Sequence, residues 1–336
     1  MKKKHWMGLF ILLLAAASCS GGSSQTMPDP SAQAGGGKKQ YVIGVSIPTT
    51  DLAFRRTMFE MVKEAYPEGN TDKRAQVLVY DGKNSQKQQN QDIKDLIEQG
   101  VDGIVVDSYT TEGILSVIKY ANERGVPIMA VDDRMETNSS AQVVSFVGSD
   151  HKKMGNQAAE MLLRGLKETY PEEETWNVLE LTGIPGSAGA MDRGEGIHEV
   201  LDQEERVHLL GSYNGEFAEE NAASIMEDCL GVYDEIHAVI CQNDLMAEGC
   251  YREIEKAGKV GEILIVGFDG QRSVVEKIRE GGIYGTVLEP PDMAVTAVEK
   301  LCDYLDGEEL SPVYYQESIP IYPEDAERFL KENLAW

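Results

Sequence analysis

The sequence lacks the motifs that identify the common classes of enzyme. It has no Gly-x-Ser-x-Gly nucleophile elbow, no phosphate-binding loop and no His-Glu-x-x-His zinc motif, and its five histidines are dispersed. It also has no Asp-x-Asp/Asn-x-Asp-Gly run followed by Glu, the pattern of a calcium loop. We therefore expect a protein that is not an enzyme and that holds no metal ion and no cofactor.

Basic residues are scarce relative to acidic ones. The chain has 31 Lys and Arg against 57 Asp and Glu, which gives a formal net charge of −26. Nucleic-acid binding needs a basic patch that can neutralise phosphates, and the sequence shows none. This composition argues against a nucleic-acid partner. A high negative charge keeps a protein soluble, and that role is enough to account for it.

The cysteines after residue 19 do not form a metal-binding pattern. Each of them lies in an apolar-periodic stretch without ligand spacing, which favours buried free thiols over the alternative, a disulfide. They are Cys229, Cys241, Cys250 and Cys302.

No apolar run reaches the length of about 20 residues that a membrane-spanning helix needs. The N-terminus instead has a basic start, an apolar segment at 9–17 and a small-residue cleavage site that ends at Cys19. This pattern resembles a bacterial lipoprotein signal over residues 1–19, with an ordinary secretory signal as the alternative. A lipidated Cys19 would anchor the protein to the outer side of the cell membrane. Residues 20–39 are rich in Gly, Ser, Pro and Gln, which predicts a flexible tether.

From Tyr41 onward, short β-branched runs alternate with amphipathic helical stretches, the pattern of parallel α/β sheets. The length predicts about two domains, with a break near Ser149-Asp150. The predicted strands are Tyr41–Ile47, Gln76–Tyr80, Gly103–Val106, Pro127–Val131, Val143–Val147, Asn177–Leu181, Val207–Ser212, Ala238–Cys241, Ile263–Val266 and Tyr284–Leu288.

Four polar segments stand where predicted strands end or helices begin. Open α/β sheets present ligand-binding side chains at these places. Asp, Arg and Asn can pair with the neighbouring hydroxyls of a polyol, which would otherwise lose hydrogen bonds when it leaves water. The segments are Val131-Asp132-Asp133-Arg134, the stretch 191–196 (Met-Asp-Arg-Gly-Glu-Gly), Gln242-Asn243-Asp244 and Gly267-Phe268-Asp269-Gly270.

The order and spacing of these segments, with the Gly-rich stretch at 183–189, resemble the ribose-binding branch of the type I periplasmic solute-binding proteins. The resemblance runs from about Tyr41 to about Ile321. It implies two Rossmann-like lobes, each a parallel sheet flanked by helices, joined by a three-segment hinge with crossings near 149–150, 289–290 and 316–319. The N-terminal lobe would comprise 40–149 plus 290–317, and the C-terminal lobe 150–289 plus 318–336.

The resemblance also implies which side chains bind the ligand. Some of these side chains also have an alternative role that involves no ligand. Asp133-Arg134 could form a surface ion pair, Arg193 a salt bridge within its helix, and Phe217 could pack in the core. Asp244 is interpreted as a helix N-cap. The implied ligand residues are Thr50, Asp107, Asp133, Arg134, Arg193, Phe217, Asn243, Phe268, Asp269 and Glu289.

Three of these positions depart from the ribose-binding pattern. Thr50 and Asp107 each stand where Asn is usual, and Glu289 stands where Gln is usual. A buried carboxylate needs a partner or a proton. If both acids face the cleft, the ligand carries an amine or extra donor hydroxyls, or at least one acid holds a proton. The alternative is that Glu289 is a hinge residue turned away from the cleft.

The resemblance implies an extracytoplasmic, monomeric protein that captures a monosaccharide or related polyol and delivers it to an ABC-type permease. The first alternative is a sensor of the same fold that signals to a membrane receptor or kinase. The second is the core of a sugar-responsive repressor, which would need a basic N-terminal helix-turn-helix where this chain has a signal and a tether.

Overall fold

Alternation of apolar strands with amphipathic helices produces two six-stranded sheets. The structure, a computed structural model, describes residues 40–135 and 137–336. In chain order its elements are β1 (Tyr41–Ile47), α1 (Ala53–Ala65), β2 (Ala75–Asp81), α2 (Gln86–Glu98), β3 (Gly103–Val106), α3 (Leu115–Asn122), β4 (Ile128–Val131), β5 (Ser145–Ser149), α4 (His151–Thr169), β6 (Trp176–Thr182), α5 (Ala188–Leu201), β7 (Val207–Asn214), α6 (Glu219–Val232), β8 (Ala238–Cys241), α7 (Asp244–Lys256), β9 (Leu264–Asp269), α8 (Arg272–Arg279), β10 (Gly285–Leu288), α9 (Met293–Leu305), β11 (Val313–Gln316), β12 (Ile319–Ile321) and α10 (Pro323–Lys331).

The two sheets have the same strand arrangement. The first has the order β11-β5-β4-β3-β1-β2, and the second has the order β12-β10-β9-β8-β6-β7. All pairings are parallel except that of β10 with β12. We call each sheet with its helices a lobe. The prediction of two α/β lobes with parallel sheets is confirmed.

All ten predicted strands are present, and their bounds differ from the predicted ones by at most three residues. The sequence analysis missed β11 and β12 because each is an edge strand of only three or four residues, and β12 contains Pro320. These strands lie in different sheets, so the chain passes between lobes at 317–318. The exact bounds of the lobes stay a prediction.

Each sheet buries apolar side chains on both of its faces. In the first lobe one cluster contains residues of α1 and α9, and another contains residues of α2 and α3. In the second lobe α4 and α5 cover one face, and α6, α7, α8 and α10 cover the other. Parallel strands covered on both faces are continuous apolar runs, as the sequence shows.

Helices α4 and α5 pack closely because two glycines meet. A Cβ atom on Gly155 would lie 3.0 Å from the Cα atom of Gly196 and from the nitrogen of Ile197. Essentially no side chain fits in that space. This contact fixes the position of α5, the helix that carries Arg193.

The four predicted buried thiols are confirmed: Cys229, Cys241, Cys250 and Cys302 are free and buried. The signal peptide, the tether and the lipidated Cys19 lie outside the described residues. Within 40–135 and 137–336, no helix has the length and apolarity required to cross a membrane.

Candidate functional site

A cavity lies between the carboxyl ends of the two sheets. Its empty volume is about 490 Å³, including its opening to solvent, within the range of small-molecule sites. Both lobes contribute to its lining, which consists of Leu52, Ala53, Phe54, Arg55, Asp132, Asp133, His151, Ser187, Gly189, Arg193, Phe217, Asn243, Leu245, Asp269, Gln271 and Glu289.

Arg55 is the central cation of the first lobe's wall. Its Nε donates to Asp107 Oδ2 at 2.8 Å, and its Nη2 lies 3.3 Å from Asp133 Oδ2. Burial raises the pKa of Asp107 to about 7, although the charge of Arg55 opposes this shift. Burial by itself lowers the pKa of Arg55, but the charges of Asp107, Asp132 and Asp133 together outweigh it and the pKa is raised. Arg55 therefore stays charged.

Asp133 connects the two lobes. One of its oxygens faces Arg55, and the other accepts a hydrogen bond of 2.8 Å from the backbone nitrogen of Gly189. Gly189 lies in the first turn of α5, where free N–H groups and the helix dipole favour an anion. Both oxygens of Asp133 thus have partners within the protein.

Arg193 is the central cation of the second lobe's wall. Its Nη1 donates to the Gln242 carbonyl at 2.7 Å, and its Nη2 forms an ion pair with Glu289. Asp269 Oδ1 is 3.9 Å away, and the guanidinium lies over the Phe268 ring at 5.1 Å from its centroid. Burial by itself raises the pKa of Glu289, but the charge of Arg193 together with its other polar neighbours outweighs this effect and the pKa is lowered. Glu289 is therefore ionised and paired.

Asp269 and Asn243 are oriented by local hydrogen bonds. Asp269 accepts from Gln271 Nε2 at 3.1 Å, and burial raises its pKa to about 7. Asn243 caps α7, because its Oδ1 accepts from the Met246 nitrogen at 2.9 Å, and its Nδ2 donates to the carbonyl of Phe217. The capping bond occupies Asn243 Oδ1.

The N-cap interpretation of Asp244 is wrong. Asn243 holds that position, and Asp244 is the first residue of α7. The buried Asp244 carboxylate accepts from the backbone nitrogens of Gly270 and Gln271 and from the Thr286 hydroxyl. Asp244 therefore holds the turn that presents Asp269.

Three lining residues other than glycine have backbone in the left-handed region. The φ angles are +64° for Asp132, +59° for Phe217 and +116° for Asp269. Such conformations cost free energy and persist where the surroundings enforce them, often at ligand sites. All three lie at the ends of strands or in the loop before a helix, so the backbone there is set by the fold.

An aromatic contact joins the lobes at one side of the cavity. The Phe54 ring meets the Trp336 ring edge-on, with centroids 5.6 Å apart. Trp336 Nε1 donates to the carbonyls of Asp269 and Glu289. Phe54 from α1 therefore packs against an anchored ring of the second lobe.

The structure brings part of the predicted site together. Asp133, Arg193, Phe217, Asn243, Asp269 and Glu289 all line the cavity. The alternative that Glu289 is turned away from the cleft is wrong, since Glu289 lies in the lining beside Arg193.

Four of the predicted ligand residues do not line the cavity that the described residues form. Thr50 donates to Asp81 at 2.6 Å, Asp107 lies behind Arg55, and Phe268 is fully buried behind Arg193. Of the two acids that depart from the ribose-binding pattern, Glu289 therefore lines the cavity and Asp107 does not, while Asp132, which was not among the implied ligand residues, does.

Arg134 is the fourth of these residues. It points outward and pairs with Asp192 of α5 at 2.5 Å.

Sequence reasoning missed Arg55, Asp132 and His151. Arg55 and His151 each stand on the buried side of a helix, in register with Met58 and Met154 three positions later. A charged or polar residue within the apolar face of a predicted helix could have identified both as candidate site residues from the sequence. For Asp132 the signal was its position next to Asp133 at the same strand end.

Three side chains form a group that could hold a cation. Asp132, His151 and Glu289 each offer one ligand atom, and these atoms lie within 4.8 Å of one another. His151 Nε2 is 3.9 Å from Asp132 Oδ1, and its Nδ1 is 3.5 Å from Glu289 Oε1. The group lies where the chain passes from β5 to α4, between the lobes.

Comparison with known proteins finds a matching family and a related protein of similar length. The family described as the periplasmic binding protein domain matches residues 43–309. The ribose import binding protein of Bacillus subtilis is 29% identical over 276 residues, which cover 82% of this chain and 85% of that protein.

Solved structures share the fold. One is the binding protein of an arabinose ABC transporter from a Shewanella species with bound L-arabinofuranose. It has a TM-score of 0.80 and 24% identity, and the match covers 87% of this chain and 95% of that one. Another is a solute-binding protein of an ABC transporter from Bacillus halodurans with bound myo-inositol, with a TM-score of 0.79, 24% identity and coverage of 88% and 99%.

Proposed function

Since this chain belongs to the periplasmic binding protein family, we propose that it binds a monosaccharide or related polyol between its lobes and delivers it to an ABC-type permease. It would act outside the cytoplasm as a binding protein and not as an enzyme. We further propose that the mature protein is a monomer anchored to the membrane through a lipid on Cys19.

The observation that carries this proposal is the lining of the cavity. Carboxylates and guanidiniums from both lobes, with the side-chain amides of Asn243 and Gln271, surround a volume of about 490 Å³, and Phe217 adds an aromatic surface. Charged groups that are already oriented by protein partners can pair with several hydroxyls of a polyol at once. The relatives that bind ribose, arabinofuranose and myo-inositol support this ligand class.

Ligand binding would be coupled to closure of the lobes. A ligand stabilises the closed form by the difference between its affinities for the closed and open forms. Asp133 contacts Gly189 of the other lobe, and Arg134 contacts Asp192. Both contacts would break on opening, so the permease would meet a different surface in each form.

Thermal-shift screening of the mature protein tests the ligand class. We expect pentoses, hexoses, inositols or amino sugars to raise the melting temperature, with affinity for the best of them in the micromolar range or tighter, about −8 kcal/mol. No shift with any of them, beside a clear shift with amino acids or peptides, would contradict the proposal.

Uptake measurements test delivery. Deleting the coding sequence should abolish uptake of the labelled ligand, and restoring it should restore uptake. Unchanged uptake, with loss of a transcriptional response to the same ligand, would favour the sensor alternative.

A further inference from the structure

The cavity contains more carboxylates than cations. Its lining includes four acids (Asp132, Asp133, Asp269 and Glu289) and two guanidiniums (Arg55 and Arg193). Asp107 adds a fifth carboxylate directly behind Arg55. A neutral polyol supplies hydroxyl donors but does not reduce this excess, and uncompensated charge is costly in a closed cavity.

Most of these acids have hydrogen-bond partners in the protein. Asp133 is held by Arg55 and Gly189, Glu289 by Arg193, and Asp269 by Gln271. The protein therefore sets the orientation of these three carboxyl groups before a ligand binds.

Asp132 is different. Its side chain is nine-tenths buried, and its carboxylate makes no hydrogen bond with any described residue. The closest side-chain nitrogens of basic residues are Arg55 Nη2 at 3.8 Å and His151 Nε2 at 3.9 Å. Burial, then the charges of Asp107 and Glu289, raise its pKa well above the usual carboxyl value. Its strained backbone, with φ of +64°, nevertheless holds it at the cavity.

Resting on the function proposed above, we propose that the ligand is a polyol that carries a protonated amine, an amino sugar or an aminocyclitol, and that Asp132 receives the ammonium group. The ammonium would supply the charge and the donors that the Asp132 carboxylate lacks. The ligand hydroxyls would pair with the remaining polar groups of the lining.

A metal ion and an ammonium group need different spacings of the acceptor atoms. Ligand atoms at about 2.1 Å from a tetrahedral zinc are about 3.4 Å apart. Hydrogen bonds of about 2.8 Å to a tetrahedral ammonium place the acceptors about 4.6 Å apart. The ligand atoms of Asp132, His151 and Glu289 lie within 4.8 Å of one another, and His151 is 3.9 Å from Asp132 and 3.5 Å from Glu289, so the spacing admits either cation. Glu289 is already paired with Arg193, whose positive charge repels a divalent cation about twice as strongly as a singly charged ammonium group.

Matched ligands test the proposal with the unaltered protein. Titration calorimetry at pH 7 would compare D-glucosamine with D-glucose and N-acetyl-D-glucosamine, D-galactosamine with D-galactose, and an aminocyclitol with myo-inositol. We expect the amine of at least one set to bind about tenfold or more tightly than its neutral counterparts. Tighter binding of the neutral member in every set that binds would overturn the amine proposal and leave the proposed function standing.

Asp132→Asn tests the assigned residue. It should weaken binding of the amine by about 30-fold or more and leave the neutral counterpart unchanged or tighter. The matched control is Asp228→Asn, the same substitution at an exposed position on α6, which should change neither. Equal losses for the amine and neutral ligands in Asp132→Asn would overturn the assignment.

Two further outcomes would show that the site binds a metal ion or an amino acid instead of an amino sugar or aminocyclitol. Stabilisation by Zn²⁺, Mn²⁺ or Ca²⁺ alone in the unaltered protein, lost in Asp132→Asn, would show that Asp132 serves a metal and would overturn the amine proposal. Binding of amino acids but of no sugar, amino sugar or cyclitol would overturn the proposed function together with the inference.

Discussion

Arg134 of the first lobe and Asp192 of the second form an ion pair of 2.5 Å at the edge of the cavity. Each is the sequence neighbour of a lining residue, Asp133 and Arg193 respectively. The Arg134 side chain is half exposed, so the pair is screened by water and salt. Its role follows from its position: it connects the lobes without lining the cavity.

Breaking this pair should affect closure more than affinity. We expect Arg134→Ala and Asp192→Ala each to cost less than about 1 kcal/mol of binding free energy, because exposed pairs contribute little. A double-mutant cycle in ligand dissociation rate, measured by stopped flow at low and high salt, would report the coupling. A loss for Arg134→Ala as large as that for Arg193→Ala would show instead that Arg134 contacts the ligand, as the resemblance implies.

Removing Arg193 should weaken binding strongly. We expect Arg193→Ala to cost about 2–5 kcal/mol, because a buried donor to the ligand is lost and Glu289 is left without its partner. Calorimetric titration measures the loss, and a melting curve checks that the variant is folded. Asp192→Ala, one residue away on α5, is the matched control, and an equal loss there would contradict the assigned orientation of the helix.

Arg55 should matter for stability as well as for binding. Arg55→Met leaves Asp107 and Asp133 buried beside an apolar side chain, which should lower the free energy of unfolding by about 3–5 kcal/mol. Urea unfolding measures this change. Adding Asp107→Asn to the variant should recover part of the loss, because one unpaired charge is removed. An Arg55→Met protein as stable as the original would refute the buried pairing.

The raised pKa of Asp107 predicts a pH dependence of stability. Its pKa is about 7 in the folded protein, against an ordinary 3.8. Between these values the folded state binds more protons than the unfolded state, so the free energy of unfolding falls as pH rises through this window. Melting curves from pH 5 to 8 should show the fall, and Asp107→Asn should reduce it. A slope that is the same in both proteins would contradict the assignment.

The contact between α4 and α5 should not tolerate a methyl group. Gly155→Ala forces the helices apart and should destabilise the protein by about 1–3 kcal/mol, with weaker ligand binding because Arg193 moves. The control is Gly231→Ala on α6, where a Cβ atom has no described neighbour within 4 Å and replacement should be neutral or slightly stabilising. Equal stability of the two variants in thermal melts would contradict the close packing.

The sequence was most informative where local pattern and burial coincide. Strands such as β3 and β8 are continuous apolar runs with the predicted bounds, because a strand buried on both faces favours apolar residues at every position. The edge strands β11 and β12 carry no such pattern, since only pairing with a neighbouring strand defines them.

The same distinction holds for the cavity. The sequence alone determined that Asp, Arg and Asn side chains gather at the carboxyl ends of parallel strands, because strand order and helix connection place those ends together. Only the tertiary structure decided which neighbour in each segment faces inward: Asp132 and Asp133 enter while Arg134 leaves. The reason is geometric, since a left-handed residue at a strand end redirects the next side chains, and a sequence period does not record that turn. The tertiary structure also decided that Arg55, distant in sequence from its partners, forms ion pairs with two of the acids.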